Sequence, residues 1–190
     1  MKEESIAVDR MHGSIYILLK RFVEGTYDYS TWIKLLEAAG IDHAPYKIDE
    51  MYPTQEIYAI VTAASTMTGI PAYDLTEKFG EYLVPDLLLM YNKFINPEWT
   101  TYNMLLNTES TFHGAVKQQD GRTSPPILQI KKVGEKQLLV DYYSKRRMAG
   151  VAVGIIKGIA NYYQESDTVK VTRLTHESEE QVQIKVDFLN

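Results

Sequence analysis

The hydrophobic pattern of this chain changes period once, near residue 120, and that change limits the fold more than any other feature. Up to Gln118 the apolar residues recur three or four positions apart; beyond Asp120-Gly121 and Ser124-Pro125-Pro126 they alternate. Ile15, Leu18, Leu19, Phe22 and Val23 mark a helix over 13–25, ended by Gly25. Ser30 suits the N-cap of a second helix, Thr31–Ala39, with Gly40 as its stop. Residues 41–53, which hold Pro45 and Pro53, read as a loop. A third helix fits Thr54–Thr68 before Gly69, a fourth Tyr73–Phe79 and a fifth Glu81–Asn92, with Asn96-Pro97 breaking the pattern. Trp99–Gln118 is again helical. Ile127–Val133 and Gln137–Tyr143 have strand composition around Gly134-Glu135-Lys136, which predicts a hairpin. Residues 147–164 form one more helix, and Thr168–Leu174 with Glu180–Phe188 alternate as a second hairpin. The fold class is therefore α+β, with helices segregated from an antiparallel sheet.

A chain of 190 residues suits one domain and is large enough to enclose a ligand pocket. Cysteine is absent, which excludes disulfides, zinc–thiolate sites, iron–sulfur clusters and a thiol nucleophile. Metal chemistry must then run through His12, His43, His113 and His176 or through carboxylates. His43 and His176 lie in loops without a spacing partner and read as solvent-exposed. A net charge of -5 argues against broad nucleic-acid binding. The N-terminal MKEESIAVDR lacks the apolar core of a signal peptide, and the longest apolar run, Gly150–Ile156, is far too short to span a bilayer. These features place the protein in the cytoplasm and away from membranes. Residues 1–10 carry little apolar periodicity and read as a flexible leader or as the product of an upstream start codon, with the fold beginning at Met11 and running as one domain over 11–190. No Walker, Rossmann or G-x-S-x-G motif is present.

Three features carry chemistry. His113 sits near the end of a helix among apolar neighbours. It reads either as a satisfied core histidine or as a single axial metal ligand, and a lone histidine suits haem because the porphyrin supplies four further ligands. In Tyr142-Tyr143-Ser144-Lys145-Arg146, extended backbone places Tyr142, Ser144 and Arg146 on one face. That face reads either as a solvated strand end or as two hydroxyls and a guanidinium gathered for a carboxylate. Gly150, Gly154 and Gly158 draw a stripe without side chains along one helix, at a cost of about 1 kcal/mol each against alanine. Close approach of another helix is the ordinary reason for such a stripe, and close approach of a flat ligand is the other. Val151 and Ile155 lie beside it.

Together, His113, Ser124-Pro125-Pro126 and Tyr142-x-Ser144-x-Arg146 followed by Met148 resemble the haem nitric oxide/oxygen-binding (H-NOX) family, the sensor module shared by bacterial gas sensors and soluble guanylate cyclase. Met11-His12-Gly13-Ser14-Ile15, Ala63-Ala64-Ser65 through Thr68-Gly69, and Phe79-Gly80 are similar to the family as well. The resemblance spans about residues 11–188. It implies a haem b (Fe protoporphyrin IX) held between a helical N-terminal lobe, about 11–70, and a C-terminal lobe, about 71–190, that contains a four-stranded antiparallel sheet and a helix. His113 matches the proximal iron ligand. Tyr142, Ser144 and Arg146 match the clamp on the haem propionates, and Pro126 matches the proline that presses on the porphyrin.

In oxygen-binding members a distal tyrosine lies nine residues beyond the first tyrosine of the motif; here Val151 stands there. Bound O2 carries negative charge on its outer atom and is stabilised by a hydrogen-bond donor, whereas NO needs none. Val151 and the other distal candidates, Ile15, Leu19 and Ile155, donate nothing. A hydrogen bond to a charged acceptor contributes roughly 1.5–3 kcal/mol, about one to two decades in affinity. The resemblance thus implies a sensor that binds NO and CO, excludes O2, and signals by release of His113 and a shift between lobes. The chain is too short for its own kinase or cyclase, so the output falls to a separate effector, a histidine kinase or a cyclic-dinucleotide enzyme by family pattern. A haem carrier and a haem enzyme, such as a peroxidase or an NO-consuming oxygenase, are the alternatives. Peroxidase chemistry calls for a distal acid–base residue, which the predicted distal face does not offer.

Overall fold

The computed structural model describes residues 8–43 and 45–189. The chain divides into two compact units, Met1–Ala72 and Tyr73–Asn190.

The first unit holds three helices: α1 (Gly13–Thr26), α2 (Tyr29–Ala38) and α3 (Thr54–Thr68). Two short strands, β1 (Arg10–His12) and β2 (Met51–Pro53), pair antiparallel. The loop expected over 41–53 therefore closes with a strand. The fold also begins ahead of Met11, because Asp9 and Arg10 are already tied down. The Thr54 N–H and hydroxyl both donate to Asp9, at 2.9 and 2.5 Å, and the Arg10 guanidinium donates to the Met51 carbonyl at 2.9 Å. The rest of the expected leader, residues 1–7, lies outside the described residues. The α2 cap is Asp28 and not Ser30: its carboxylate accepts the Thr31 N–H at 2.7 Å, while the Ser30 hydroxyl donates to the same oxygen. A charged acceptor outcompetes a hydroxyl for the free N–H groups of a helix end. Gly40 and Gly69 end α2 and α3 at φ of 69° and 71°, as the sequence predicts.

The core of this unit is aromatic. Tyr16 is fully buried and donates to the Pro53 carbonyl at 2.7 Å. Tyr46 stacks on Tyr16 with ring centroids 4.4 Å apart and meets Tyr52 edge-on at 4.6 Å. The Tyr46 hydroxyl donates to Glu56 at 2.7 Å; burial first, and that bond second, push its pKa upward.

The second unit opens with α4 (Ala72–Met90), which runs without interruption through Gly80 and Pro85 where the sequence suggested two helices. After a 3-10 turn at Asn92–Phe94 come α5 (Thr101–Asn107), a π-helical stretch at Thr108–His113, and α6 (Gly114–Gln119). The expected single helix over 99–118 is thus broken in its middle by a wider turn. Next come β3 (Ile127–Lys132) and β4 (Gln137–Tyr143), then α7 (Ala149–Tyr162), then β5 (Val169–Arg173) and β6 (Gln181–Phe188). The strands form one antiparallel sheet in the order β3-β4-β6-β5, so both expected hairpins are present. Leu138, Val140 and Tyr142 lie opposite Val186, Ile184 and Val182, and all six are buried. Val153, Ile156 and Ile159 of α7 and Met104 and Leu105 of α5 complete this core.

The glycine stripe is explained by α4. A Cβ on Gly154 would collide with the Glu77 carbonyl, one on Gly150 would lie 2.8 Å from the Tyr73 carbonyl oxygen, and one on Gly158 would lie 2.6 Å from Val84 Cγ2. Gly80 answers from the other side, its missing Cβ making room for the Val151 carbonyl. Glycine at these four places lets two helix backbones touch, the first of the two readings of the stripe.

Candidate functional site

The second unit places His113 through a stretch of sequence that is poor at making α-helix. Asn107, Thr108 and Ser110 turn their side chains back onto the backbone. Thr108 donates to the Met104 carbonyl at 3.0 Å, Asn107 to Asn103 at 2.8 Å and Ser110 to Asn107 at 3.3 Å. Such bonds compete with the regular ladder. Here the ladder widens, and the Gly114 N–H reaches the Glu109 carbonyl five residues back. His113 ends that turn with its side chain 16% exposed.

The His113 Nδ1 lies 2.8 Å from Glu109 Oε2. An ionised carboxylate only accepts, so Nδ1 is the donor, and in the neutral ring Nε2 keeps the lone pair. The same carboxylate oxygen accepts the Leu128 N–H at 3.0 Å, and Lys117 Nζ lies 3.9 Å from the other oxygen. The sequence reading missed Glu109. Its signal was the four-residue spacing to His113, which brings an acid and an imidazole onto one helix face.

Leu128 stands opposite Tyr142 in the β3–β4 register. Tyr142 is buried, and its phenol interacts with the Ser144 side chain, the Met148 backbone N–H and the charge of Arg146. Burial raises the pKa of that phenol, and the three neighbours oppose the rise. The three motif residues do meet, but not by strand alternation. β4 ends at Tyr143, and the chain then turns. The Arg146 N–H donates to Ser144 Oγ at 3.2 Å and the Arg147 N–H to the Ser144 carbonyl at 3.1 Å, with Arg147 at a φ of 50°. The serine hydroxyl thus builds the turn that returns Arg146 towards Tyr142. Arg146 Nη1 also donates to the Ser124 carbonyl at 2.7 Å, which fixes the start of the Ser124-Pro125-Pro126 segment. Pro126 is half-buried.

The other candidates sit as follows. Val151 and Ile155 lie four apart on α7, both half-buried. Ile15 and Leu19 lie four apart on α1 in the first unit, Ile15 half-buried and Leu19 buried. His12 caps α1 by accepting the Ser14 N–H at 3.3 Å. His43 is exposed as expected, yet it also bonds Glu56 at 3.0 Å and stacks on Tyr52. His176 is exposed and bonded to Ser178 at 2.9 Å.

Among the described residues no group of three or more His, Cys, Asp or Glu side chains could hold a bare metal ion. A half-buried imidazole with one nitrogen already engaged can instead offer a single axial bond to a metal whose remaining ligands arrive with it. The nearby hydroxyls and guanidinium suit carboxylate tails. This donor set fits a haem. No described helix is long and apolar enough to cross a membrane.

This fold and donor set point to a haem-binding domain. The family profile described as Haem-NO-binding matches residues 12–172, and the chain belongs to that family, the H-NOX domains. Solved structures agree on the fold. An H-NOX protein from S. oneidensis in the Fe(II)NO state superposes with a TM-score of 0.84 at 21% identity, covering 95% of this chain and 100% of that one. An NMR structure of the Shewanella oneidensis SO2144 H-NOX domain in the Fe(II)CO state gives 0.79 at 21% identity, covering 95% and 99%. A mutant H-NOX from T. tengcongensis gives 0.78 at 18% identity, covering 95% and 98%. A comparison with curated protein sequences found no match.

Proposed function

We propose that this protein is a non-catalytic, haem-based gas sensor that takes NO and CO, excludes O2, and reports to a separate effector protein. The observation that carries the reading is His113: one half-buried imidazole, held at Nδ1 by Glu109, with no cluster of protein ligands around it among the described residues. The Fe(II)NO and Fe(II)CO states of the solved relatives support the choice of ligands. His113 would hold the iron through Nε2, Tyr142, Ser144 and Arg146 would hold the propionates, and Pro126 would rest on the macrocycle. A bound ferrous haem would supply the iron that takes up a diatomic gas.

The chain's own part is to exclude, hold and release. Val151 and Ile155 present no donor, so nothing rewards the charge that O2 develops at its outer atom. An imidazole freed at Nε2 would stay tied to Glu109 through Nδ1, which would guide its motion. The altered surface near the Pro125-Pro126 segment is then available to an effector, a histidine kinase or a cyclic-dinucleotide enzyme. A two-state element of this kind responds only to the extent that the gas prefers one state.

Absorption spectra of the ferrous protein under argon, air, CO and NO test the proposal. We expect a Soret band that moves with CO and NO and does not move with air. A preparation that stays colourless after addition of haemin overturns it. The valine is tested separately: Val151→Tyr should tighten O2 binding by about one to two decades, and an unchanged spectrum under air would contradict the role given to that side chain.

A further inference from the structure

We infer that Glu109 is a positioning residue that sets the ligating nitrogen of His113 and joins that histidine to the proline segment ahead of β3. The inference rests on the haem reading for its purpose, while its geometry stands without it. One carboxylate oxygen, Glu109 Oε2, accepts from both His113 Nδ1 at 2.8 Å and the Leu128 N–H at 3.0 Å. Leu128 lies two residues beyond Pro126. Two residues before Pro126, the Ser124 carbonyl is held by Arg146 at 2.7 Å. The Ser124–Leu128 segment is thus fastened at one end to the Tyr142-Ser144-Arg146 cluster and at the other to the carboxylate that holds His113.

Two consequences follow from the chemistry. A carboxylate facing Nδ1 stabilises the Nδ1–H tautomer, whereas a free neutral imidazole in water prefers the proton on Nε2. In the neutral ring Glu109 therefore leaves on Nε2 the lone pair that a metal would take. It also makes the imidazole a stronger donor, as a second carboxylate behind a metal-bound histidine does. In addition, any displacement of His113 draws on a hydrogen bond whose acceptor also holds the start of β3. Movement at the histidine is passed to the backbone at Leu128, and from there to Pro126, without a separate relay.

The test begins with the haem-free full chain, labelled with 15N and held in mildly alkaline buffer. The ring-nitrogen shifts of His113 are expected to report the proton on Nδ1. Glu109→Ala should move it to Nε2, and Glu109→Gln should retain part of the Nδ1 population, because the amide oxygen still accepts. An Nε2 proton in the unsubstituted chain overturns the tautomer assignment. The second arm uses haem-loaded protein. The iron–histidine stretching band should move to lower frequency in Glu109→Gln and further in Glu109→Ala, with haem retention weakened about tenfold or more in the latter. The Leu128 amide shift on NO addition should be large in the unsubstituted protein and lost in Glu109→Ala. Equal bands and equal Leu128 responses in all three proteins overturn the coupling. A chain that takes up no haem yet shows the Nδ1 tautomer refutes the sensor reading and leaves the Glu109–His113 geometry standing, so the two failures are distinguishable.

Discussion

Two helical regions of the second unit are built on opposite plans. α7 is regular, glycine-striped and pressed against α4 so closely that backbone meets backbone at Gly80, Gly150, Gly154 and Gly158. The stretch from Thr108 to Gln119 is irregular: it widens into a π turn, has only Ala115 buried, and carries His113 on a loosened frame. The contrast separates two tasks. Close backbone packing gives α7 one position and leaves no room for alternatives, as a wall should be. A segment whose side chains compete with its own ladder is tied less firmly to one arrangement, which suits the release proposed for His113. Substitutions in α7 should accordingly act on stability, and substitutions near His113 should act on haem binding while leaving the fold largely intact.

The strongest way to break the contrast is Gly154→Ala. The new methyl would meet the Glu77 carbonyl and lie 2.8 Å from the Glu81 N, both fixed backbone atoms of α4. We expect destabilisation of about 3 kcal/mol, measured by urea unfolding of the haem-free chain. A loss below about 1 kcal/mol would mean that the two helices slide apart easily and that the regular region is as adaptable as the irregular one.

His113→Gly probes the other side of the comparison. No packing of the α4–α7 kind surrounds this residue, so the unfolding midpoint of the haem-free protein should change little. Haem retention should nevertheless be lost and should return when imidazole is added to occupy the vacated place. Normal retention without imidazole would remove His113 as the ligand. A collapsed unfolding midpoint would show that the irregular stretch carries stability after all.

The same contrast explains what could be read from the sequence. α3 and β4 were legible to the residue because their signals are local: Gly69 at positive φ ends the first, and alternation bounded by Gly134 and the turn after Tyr143 frames the second. α4 was misread because Gly80 looks like a stop, although the reading ran through Pro85. Gly80 is there for the Val151 carbonyl, a residue 71 positions away, and no local pattern announces that. Pro85 removes the N–H that would have served the Glu81 carbonyl, the same carbonyl that Gly158 fits against. At the site, His113 and the Tyr-x-Ser-x-Arg pattern were legible as residue types. The turn that gathers Ser144 and Arg146 was not, because a serine hydroxyl and an Arg147 at positive φ make it. Glu109 escaped notice because its value comes from the Leu128 N–H, which only the tertiary fold brings to it.

The smallest effect expected lies on the sheet, between the two plans. Asp141 is buried on the face of β4 opposite the core; its carboxylate accepts from Lys131 at 2.8 Å and Gln183 at 2.9 Å. The Lys131 bond first, and the Gln183 bond second, hold its pKa below the usual carboxylate range against the opposing pull of burial. A group whose pKa is lowered by folding contributes stability that is complete above its unfolded value and disappears as pH falls through the folded one. Lys131 is largely exposed, so water screens the pair and limits what it contributes. Asp141→Asn should therefore lower the Tm by a few degrees at most at neutral pH, and the gap from the unsubstituted protein should close below the ordinary carboxylate range of about pH 4. A gap that persists unchanged in acid would assign the cost to side-chain packing instead of charge. The sheet would then belong with α7, as scaffold held by shape and not by electrostatics.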